Sequence, residues 1–355
     1  MTTSAEDPYQ LDDRQHDPGH EHAKRRAERV PDAVREHVAR GIDLPGGHRL
    51  LVGTASWTDP TITEGDVFYP AKVRTPEQRL RYYASRFPLV EVDSSYYAIP
   101  AARMAQAWVA RTPAGFTFDV KAHALMTGQP SEISRLPKDI REALPAELKA
   151  KPRVYGEQLP PELLDEVWAR FMDAIAPLVV NGKLGAVLLQ FPRWIVPSKK
   201  AAALIEDAAR RLGDVPGAVE LRNHRWFAKG ERTSRVLDFL RAHGLAHVMV
   251  DGPRGLESSV PPVIATTTPE LALVRLHGRR ADLWEKARVP TVERYRYLYD
   301  DQQLEEWVEP VLEAAATAKR THVLMNNCHG NYGTTNAVEF GAMVVTLGLG
   351  TGDSG

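Results

Sequence analysis

Five side chains carry the chemistry that this sequence offers most clearly: Lys121, Glu220, Arg222, Asp251 and His277. Lysine and arginine hold negative charge, a carboxylate exchanges protons, and histidine does either near neutral pH. Lys121, Arg222, Asp251 and His277 fall at the ends of short apolar runs, and in four such runs charged residues alternate with hydrophobic ones. Val90 and Val92 flank Glu91, which Asp93 follows. Phe116, Phe118, Val120 and Ala122 interleave with Thr117, Asp119, Lys121 and His123. Val219 and Leu221 oppose Glu220 and Arg222, while Val274 and Leu276 oppose Arg275 and His277. Strand side chains alternate between two faces, so the charged members of four runs share an inward face. Burying an unpaired charge costs several kcal/mol, so such residues persist only when paired or used. The plain alternative is a set of internal ion pairs, Glu91 with Lys121 and Glu220 with Arg222 or Arg275, that only fill space.

Polar and aromatic groups at neighbouring run ends are candidate ligand contacts: Ser56, Trp57, Glu91, Tyr97, His123, Gln190, Trp226, Arg275, Asn326 and Asn327. Glu220 or Asp251 is expected as the general base, with Trp57, Tyr97 and Trp226 as stacking walls. The Asn- and Gly-rich turn at 326–336 leads into a helix, and a helix N-terminus offers backbone N–H groups to an anion, with His277, Arg279 and Arg280 adding charge nearby. Glu91, Glu220, Asp251 and His277 contain the donor types of a divalent-cation site. There is no His-x-His or HExxH, however, and three cations compete in the same space, so neither a metal nor another cofactor is expected. A paired-carboxylate glycosidase is disfavoured because Glu220 and Asp251 have basic neighbours. Cys328 reads as a small packed residue more readily than as a reactive thiol.

The elements that must position these groups follow a regular rhythm. Strands are expected at 50–57, 89–97, 116–123, 186–191, 218–222, 246–251, 271–277 and 321–327. Helices are expected at 75–87, 101–111, 161–180, 199–212, 233–243 and 302–318. Eight strands alternating with helices predict a parallel sheet closed as a (β/α)8 TIM-type barrel; an open doubly wound sheet is the runner-up. Barrel enzymes keep their chemistry at the C-terminal strand ends, where Lys121, Arg222, Asp251 and His277 fall. Long stretches at 125–159 and 279–301, after strands 3 and 7, lengthen that face. The barrel domain is expected over 49–349, with a polar, flexible extension at 1–48 that contains one short helix at 23–40, and a disordered tail at 350–355.

Composition bounds the rest. The 355 residues are 43% hydrophobic and 26% charged, which suits a soluble globular chain. With 45 Lys and Arg against 46 Asp and Glu, the net charge of −1 argues against bulk nucleic acid or an anionic membrane as main partner. One cysteine excludes an intrachain disulfide framework. The polar N-terminal segment lacks the apolar core of a signal peptide, and no apolar run reaches membrane-spanning length, so a cytoplasmic protein is expected.

Several of these residues lie in motifs that resemble the domain of unknown function 72 family, the YecE-like proteins. The motifs are Gly-Thr-Ala-Ser-Trp at 53–57, Phe-Tyr-Pro at 68–70, Tyr-Tyr-Ala at 82–84, Val-Glu-Val-Asp at 90–93 and Lys-Leu-Gly at 183–185. Further along come Leu-Gln-Phe-Pro at 189–192, Val-Glu-Leu-Arg at 219–222, Val-Arg-Leu-His-Gly at 274–278 and the Asn326–Asn327 pair. The resemblance implies a TIM-type barrel and leaves the chemistry open. Two departures stand out. Met126, Thr127 and Gly128 replace a Thr-His pair, and Cys328 stands where many members have Asp or His, as in what looks like an actinobacterial-type subgroup.

Two functions follow as expectations. The first is an enzyme or binder of a small anionic ligand, phosphate- or sugar-phosphate-bearing; as an enzyme it would be a hydrolase or a lyase or isomerase. The second is a barrel that binds or cleaves nucleic acid, with Lys72, Arg74, Arg193, Lys199, Lys200, Arg254, Arg279 and Arg280 as a basic collar. The oligomeric state is left open.

Overall fold

The computed structural model describes residues 18–63, 66–227 and 230–349. Eight parallel strands close into a barrel: β1 His48–Thr54, β2 Leu89–Val92, β3 Thr117–Lys121, β4 Leu184–Phe191, β5 Gly217–Leu221, β6 Leu245–Asp251, β7 Leu271–Leu276 and β8 Arg320–Met325. Each pairs with the next, and β8 pairs with β1 to complete the ring. All eight strands overlap the apolar runs of the sequence, although the second, expected over 89–97, ends at Val92 and is followed by a 3-10 turn at Ser94–Tyr96. The closed barrel therefore replaces the open-sheet alternative.

The N-terminal extension supplies two helices, α1 Pro18–Arg29 and α2 Asp32–Arg40, where the sequence suggested one, because Pro31 cannot continue α1. Around the barrel run α3 Pro76–Ala84, α4 Ala102–Arg111, α5 Pro161–Val180, α6 Lys199–Leu212, α7 Glu231–Ala242, α8 Val308–Ala315 and α9 Tyr332–Leu349. Helix α3 starts on a capping box, in which the Thr75 hydroxyl accepts from the Gln78 N–H and the Gln78 side chain accepts from the Thr75 N–H. The helix expected at 302–318 is divided into Asp301–Glu305 and α8.

Residues 18–44 lie on the barrel. Ala23 of α1 and Val38 of α2 are buried, the Arg26 guanidinium donates to both oxygens of Glu339 on α9 at 2.7 and 2.9 Å, and Ile42–Leu44 pairs antiparallel with β1. Ile42 is buried as well, Val34 and Leu44 pack on the core, and the part-buried bidentate ion pair adds to these contacts. The first 17 residues of the expected extension and the expected tail at 350–355 lie outside the described residues. The stretch at 125–159 holds an antiparallel pair, Pro130–Glu132 with Arg153–Tyr155, over its own buried cluster of Leu136, Ile140, Leu144, Leu148 and Val154. Among the described residues no helix is long and apolar enough to cross a membrane.

Two glycines make the barrel interior possible. A Cβ on Gly53 would lie 2.0 Å from the Leu89 carbonyl oxygen, so the approach of β1 to β2 requires glycine. Between β3 and β4 the pairing slips, so that Phe118 faces Leu184 while Asp119 faces Ala186, leaving Gly185 as the extra residue. A Cβ there would meet Asp119 Oδ1 at 2.3 Å and the His322 ring at 2.6 Å. Gly185 makes room for a buried polar pair.

Candidate functional site

The inward charges form two layers. Low in the barrel, the Nδ1–H of His322 on β8 donates to both oxygens of Asp119 on β3, at 3.1 and 3.0 Å, and neither side chain is exposed. Glu91 stands beside Asp119 in the β2–β3 register, and Lys121 lies two residues further along the same face.

In the upper layer Arg275 on β7 bridges two buried glutamates. Its Nε and Nη2 donate to Glu91 at 2.9 and 2.7 Å, and its Nη1 donates to Glu220. The other oxygen of Glu220 accepts from Arg222 Nε, and Arg222 Nη2 reaches Gln190 Oε1 at 3.4 Å. Burial opposes ionisation of Glu220, yet the guanidiniums of Arg222 and Arg275 outweigh it and hold the carboxyl well below its usual range. Burial prevails at Glu91, which has a single guanidinium, and raises its carboxyl. His277 Nε2 lies 3.3 Å from Glu220 Oε1, and Asn326 Nδ2 lies 2.6 Å from His277 Nδ1. Burial pushes this imidazole down to about 3, so it is neutral at physiological pH.

Lys121 is the exception in this layer. Among the described residues, its ammonium makes no hydrogen bond, has no carboxylate oxygen within 4 Å, and lies 4.6 Å from the centre of the Tyr96 ring. Burial, reinforced by Arg275 and Arg222 and opposed by Glu91, lowers it to about 8. Asp93 follows β2, and burial together with the Glu91 charge lifts its carboxyl to about 6. Lys121, Asp93, Gln190 and Asn326 are all partly exposed, whereas the Glu91–Arg275–Glu220 bridge is sealed.

The structure thus brings together eight of the residues expected from sequence: Glu91, Lys121, Gln190, Glu220, Arg222, Arg275, His277 and Asn326. It also corrects several roles. Glu91 pairs with Arg275, not Lys121, because Arg275 presents the bidentate fork. Neither expected general base is available. Glu220 is held ionised by two guanidiniums, while Asp251 accepts from Arg279 at 2.9 to 3.2 Å and from the Tyr299 hydroxyl at 2.6 Å. His123 is buried, has no charged partner among the described residues, and is lowered to about 4 by burial.

Trp57 and Trp226 are buried rather than standing as open walls. Trp57 packs edge-on against Trp108 and Phe118, and the Trp226 indole N–H donates to the Ile195 carbonyl at 2.8 Å. Tyr97 is 46% exposed on the rim, with the Arg135 guanidinium 5.3 Å from its ring centre, and Trp194 is 52% exposed. Ser56 holds a left-handed φ of 120°, which costs a non-glycine residue on the order of 1–3 kcal/mol. It lines a cavity of about 10 Å³ with Asp59 and Cys328. Burial raises the Cys328 thiol well above its usual range, so it is not a thiolate nucleophile.

The turn after β8 is occupied. Asn327 Nδ2 donates to the Tyr297 carbonyl and to Asn336 Oδ1, both at 2.8 Å, and the Asn331 amide donates to the His20 carbonyl of α1 at 3.0 Å. These asparagines tie down the loop after β7 and the N-terminal helix.

Sequence reasoning missed Trp284 and Tyr295, which the loop after β7 brings to 6.0 Å from the His277 ring. The Arg222 guanidinium lies 5.4 Å from the centre of the Trp284 ring. No periodicity marks these two residues. His322 was missed too, although alternation back from Asn326 puts it on the same face of β8.

The chain matches the family described as Protein of unknown function DUF72 over residues 51–350. The UPF0759 protein YunF of Bacillus subtilis is 33% identical over 290 residues, covering 81% of this chain and 92% of that protein. A solved DUF72 family protein from Thermotoga maritima matches 83% of this chain and 98% of its own at 29% identity, with a TM-score of 0.65. One from Enterococcus faecalis matches 84% and 98% at 26% identity, with a TM-score of 0.64.

Proposed function

The chain belongs to the DUF72 family, and from the geometry of the barrel mouth we propose that it binds a small anionic ligand there, a phosphate or sugar phosphate, as the substrate of an enzyme or the cargo of a binder. One observation carries this reading: Lys121 is a partly exposed cation with no ion-pair partner among the described residues, beside guanidiniums that are already matched. Two glutamates pair with Arg275 and Arg222, which leaves Lys121 without a direct ion pair among the described residues, Asp93 being a carboxylate that feels its charge from further off. Fixed cations in a site shielded from water stabilise an incoming anion strongly. Gln190 and Asn326, both partly exposed and tied to Arg222 and His277, are further polar groups at the ends of β4 and β8. If the ligand is transformed, Asp93 is the proton-transfer group best matched to neutral pH, since an effective acid or base has a pKa near the working pH.

A nucleic-acid partner has less support, because much of the basic collar is already paired. Lys200 meets Glu157, Arg280 meets Asp282, and Arg254 and Arg279 both meet Glu306.

Calorimetric titration of inorganic phosphate and of a hexose phosphate into wild type, Lys121→Met and Arg222→Ala tests the proposal. Lys121→Met is expected to weaken binding at least tenfold. Equal binding by all three proteins contradicts it.

A further inference from the structure

We propose that Lys121 is a nucleophilic amine that forms an imine with the carbonyl group of an anionic ligand at the barrel mouth, an inference that rests on the anion-binding reading above. Among the described residues, Lys183 is buried and Lys121 is partly exposed, and their surroundings differ. Lys183 donates to the Val109 carbonyl at 2.9 Å, the Thr112 carbonyl at 2.7 Å and the Thr112 hydroxyl at 2.8 Å, so its three protons tie down the end of α4. Lys121 has no such acceptors. It is the last residue of β3 and is partly exposed, and the nearest group described against its nitrogen is the face of Tyr96.

Burial lowers the Lys183 ammonium as well, but its three protons are all taken up by acceptors. An amine placed beside Arg275 and Arg222, with no acceptor, sheds its proton more easily. With its pKa lowered to about 8, about one Lys121 in ten is the neutral amine at pH 7. The tight pairing of Arg275 with Glu91 and Glu220 keeps those cations in place without giving either glutamate to Lys121.

In the step itself, the Nζ lone pair forms a bond to the carbonyl carbon and the C=O π pair moves to oxygen. One Nζ proton is transferred to that oxygen, giving the carbinolamine. Loss of the second Nζ proton and of the hydroxyl as water leaves the C=N bond. The balance is amine plus carbonyl giving imine plus water, with no oxidant or reductant. Asp93, whose carboxyl feels the Lys121 charge, is suited to carry the proton between nitrogen and the departing oxygen.

The test incubates the full chain with dihydroxyacetone phosphate, or with dihydroxyacetone, in the presence of sodium cyanoborohydride, and locates reduced adducts by peptide mass mapping. The adduct is expected on Lys121 at least tenfold faster than on exposed Lys72. It should form faster with the phosphorylated ketone, and inorganic phosphate should slow it. Lys121→Arg, which removes the amine, is expected to give no fast, phosphate-competed adduct on any lysine. Labelling of Lys121 no faster than Lys72, in a protein that still binds phosphate, overturns the imine and leaves the anion site standing. Fast labelling of Lys121 by both ketones alike, without competition from phosphate, supports the nucleophile and overturns the anion site.

Discussion

The two polar layers of this barrel use similar residue types to different ends. In the lower layer, Asp119 and His322 form a sealed pair that Gly185 accommodates, and nothing from outside reaches it. In the upper layer, Glu91, Arg275, Glu220 and Arg222 form a matched bridge, and Lys121 is added, partly exposed and without an ion-pair partner among the described residues. A matched buried set offsets its own desolvation, whereas an added buried cation costs stability until something pairs with it. The lower layer therefore reads as structure, and the upper as a structure carrying one strained functional group.

Breaking the matched bridge should have the largest effect. Arg275→Met leaves Glu91 and Glu220 without their shared guanidinium, and a loss of about 3–5 kcal/mol is expected by denaturant unfolding, or failure to fold. A loss below about 1 kcal/mol would show that the bridge is not the centre of the upper layer. Asp119→Ala should cost less, about 1–3 kcal/mol, because it leaves one buried N–H of His322 unpaired. Its phosphate affinity should stay within about twofold of wild type; a larger change would remove the functional distinction between the layers.

Much of this arrangement was legible in the sequence because two periods coincide. Valines at 90 and 92 and phenylalanines at 116 and 118 fix which face of the strand is apolar, and the residues between them must then face inward. That argument located Glu91, Asp119, Lys121, Glu220 and Arg275 before any contact was known. It did not reveal who pairs with whom, since pairing depends on height in the barrel and on side-chain reach, and here Arg275 outcompetes Lys121 for Glu91. It also failed in the loops. Trp284, Tyr295 and Tyr299 lie in a stretch without periodicity, and Tyr299 is what ties up Asp251, the expected base, along with Arg279. Trp57 and Trp226 looked like pocket walls because they sit at strand ends, yet neighbouring aromatic and apolar groups bury them.

The smallest effect, on the order of 1 kcal/mol after allowance for partial exposure, should come from Lys121→Met, and its sign is the informative part. The folded amine titrates at about 8, below its ordinary 10.5. Between those values the unfolded chain holds more protons, so the Lys121 contribution to wild-type stability is unfavourable below pH 8 and is relieved as the pH rises toward 10.5. The gap between variant and wild type should narrow over that window. The most direct measurement is the unfolding free energy of wild type and Lys121→Met at pH 7, with and without phosphate. The account predicts that the variant is the more stable protein without phosphate and that phosphate stabilises only the wild type; a less stable variant, with both proteins responding equally to phosphate, would contradict it.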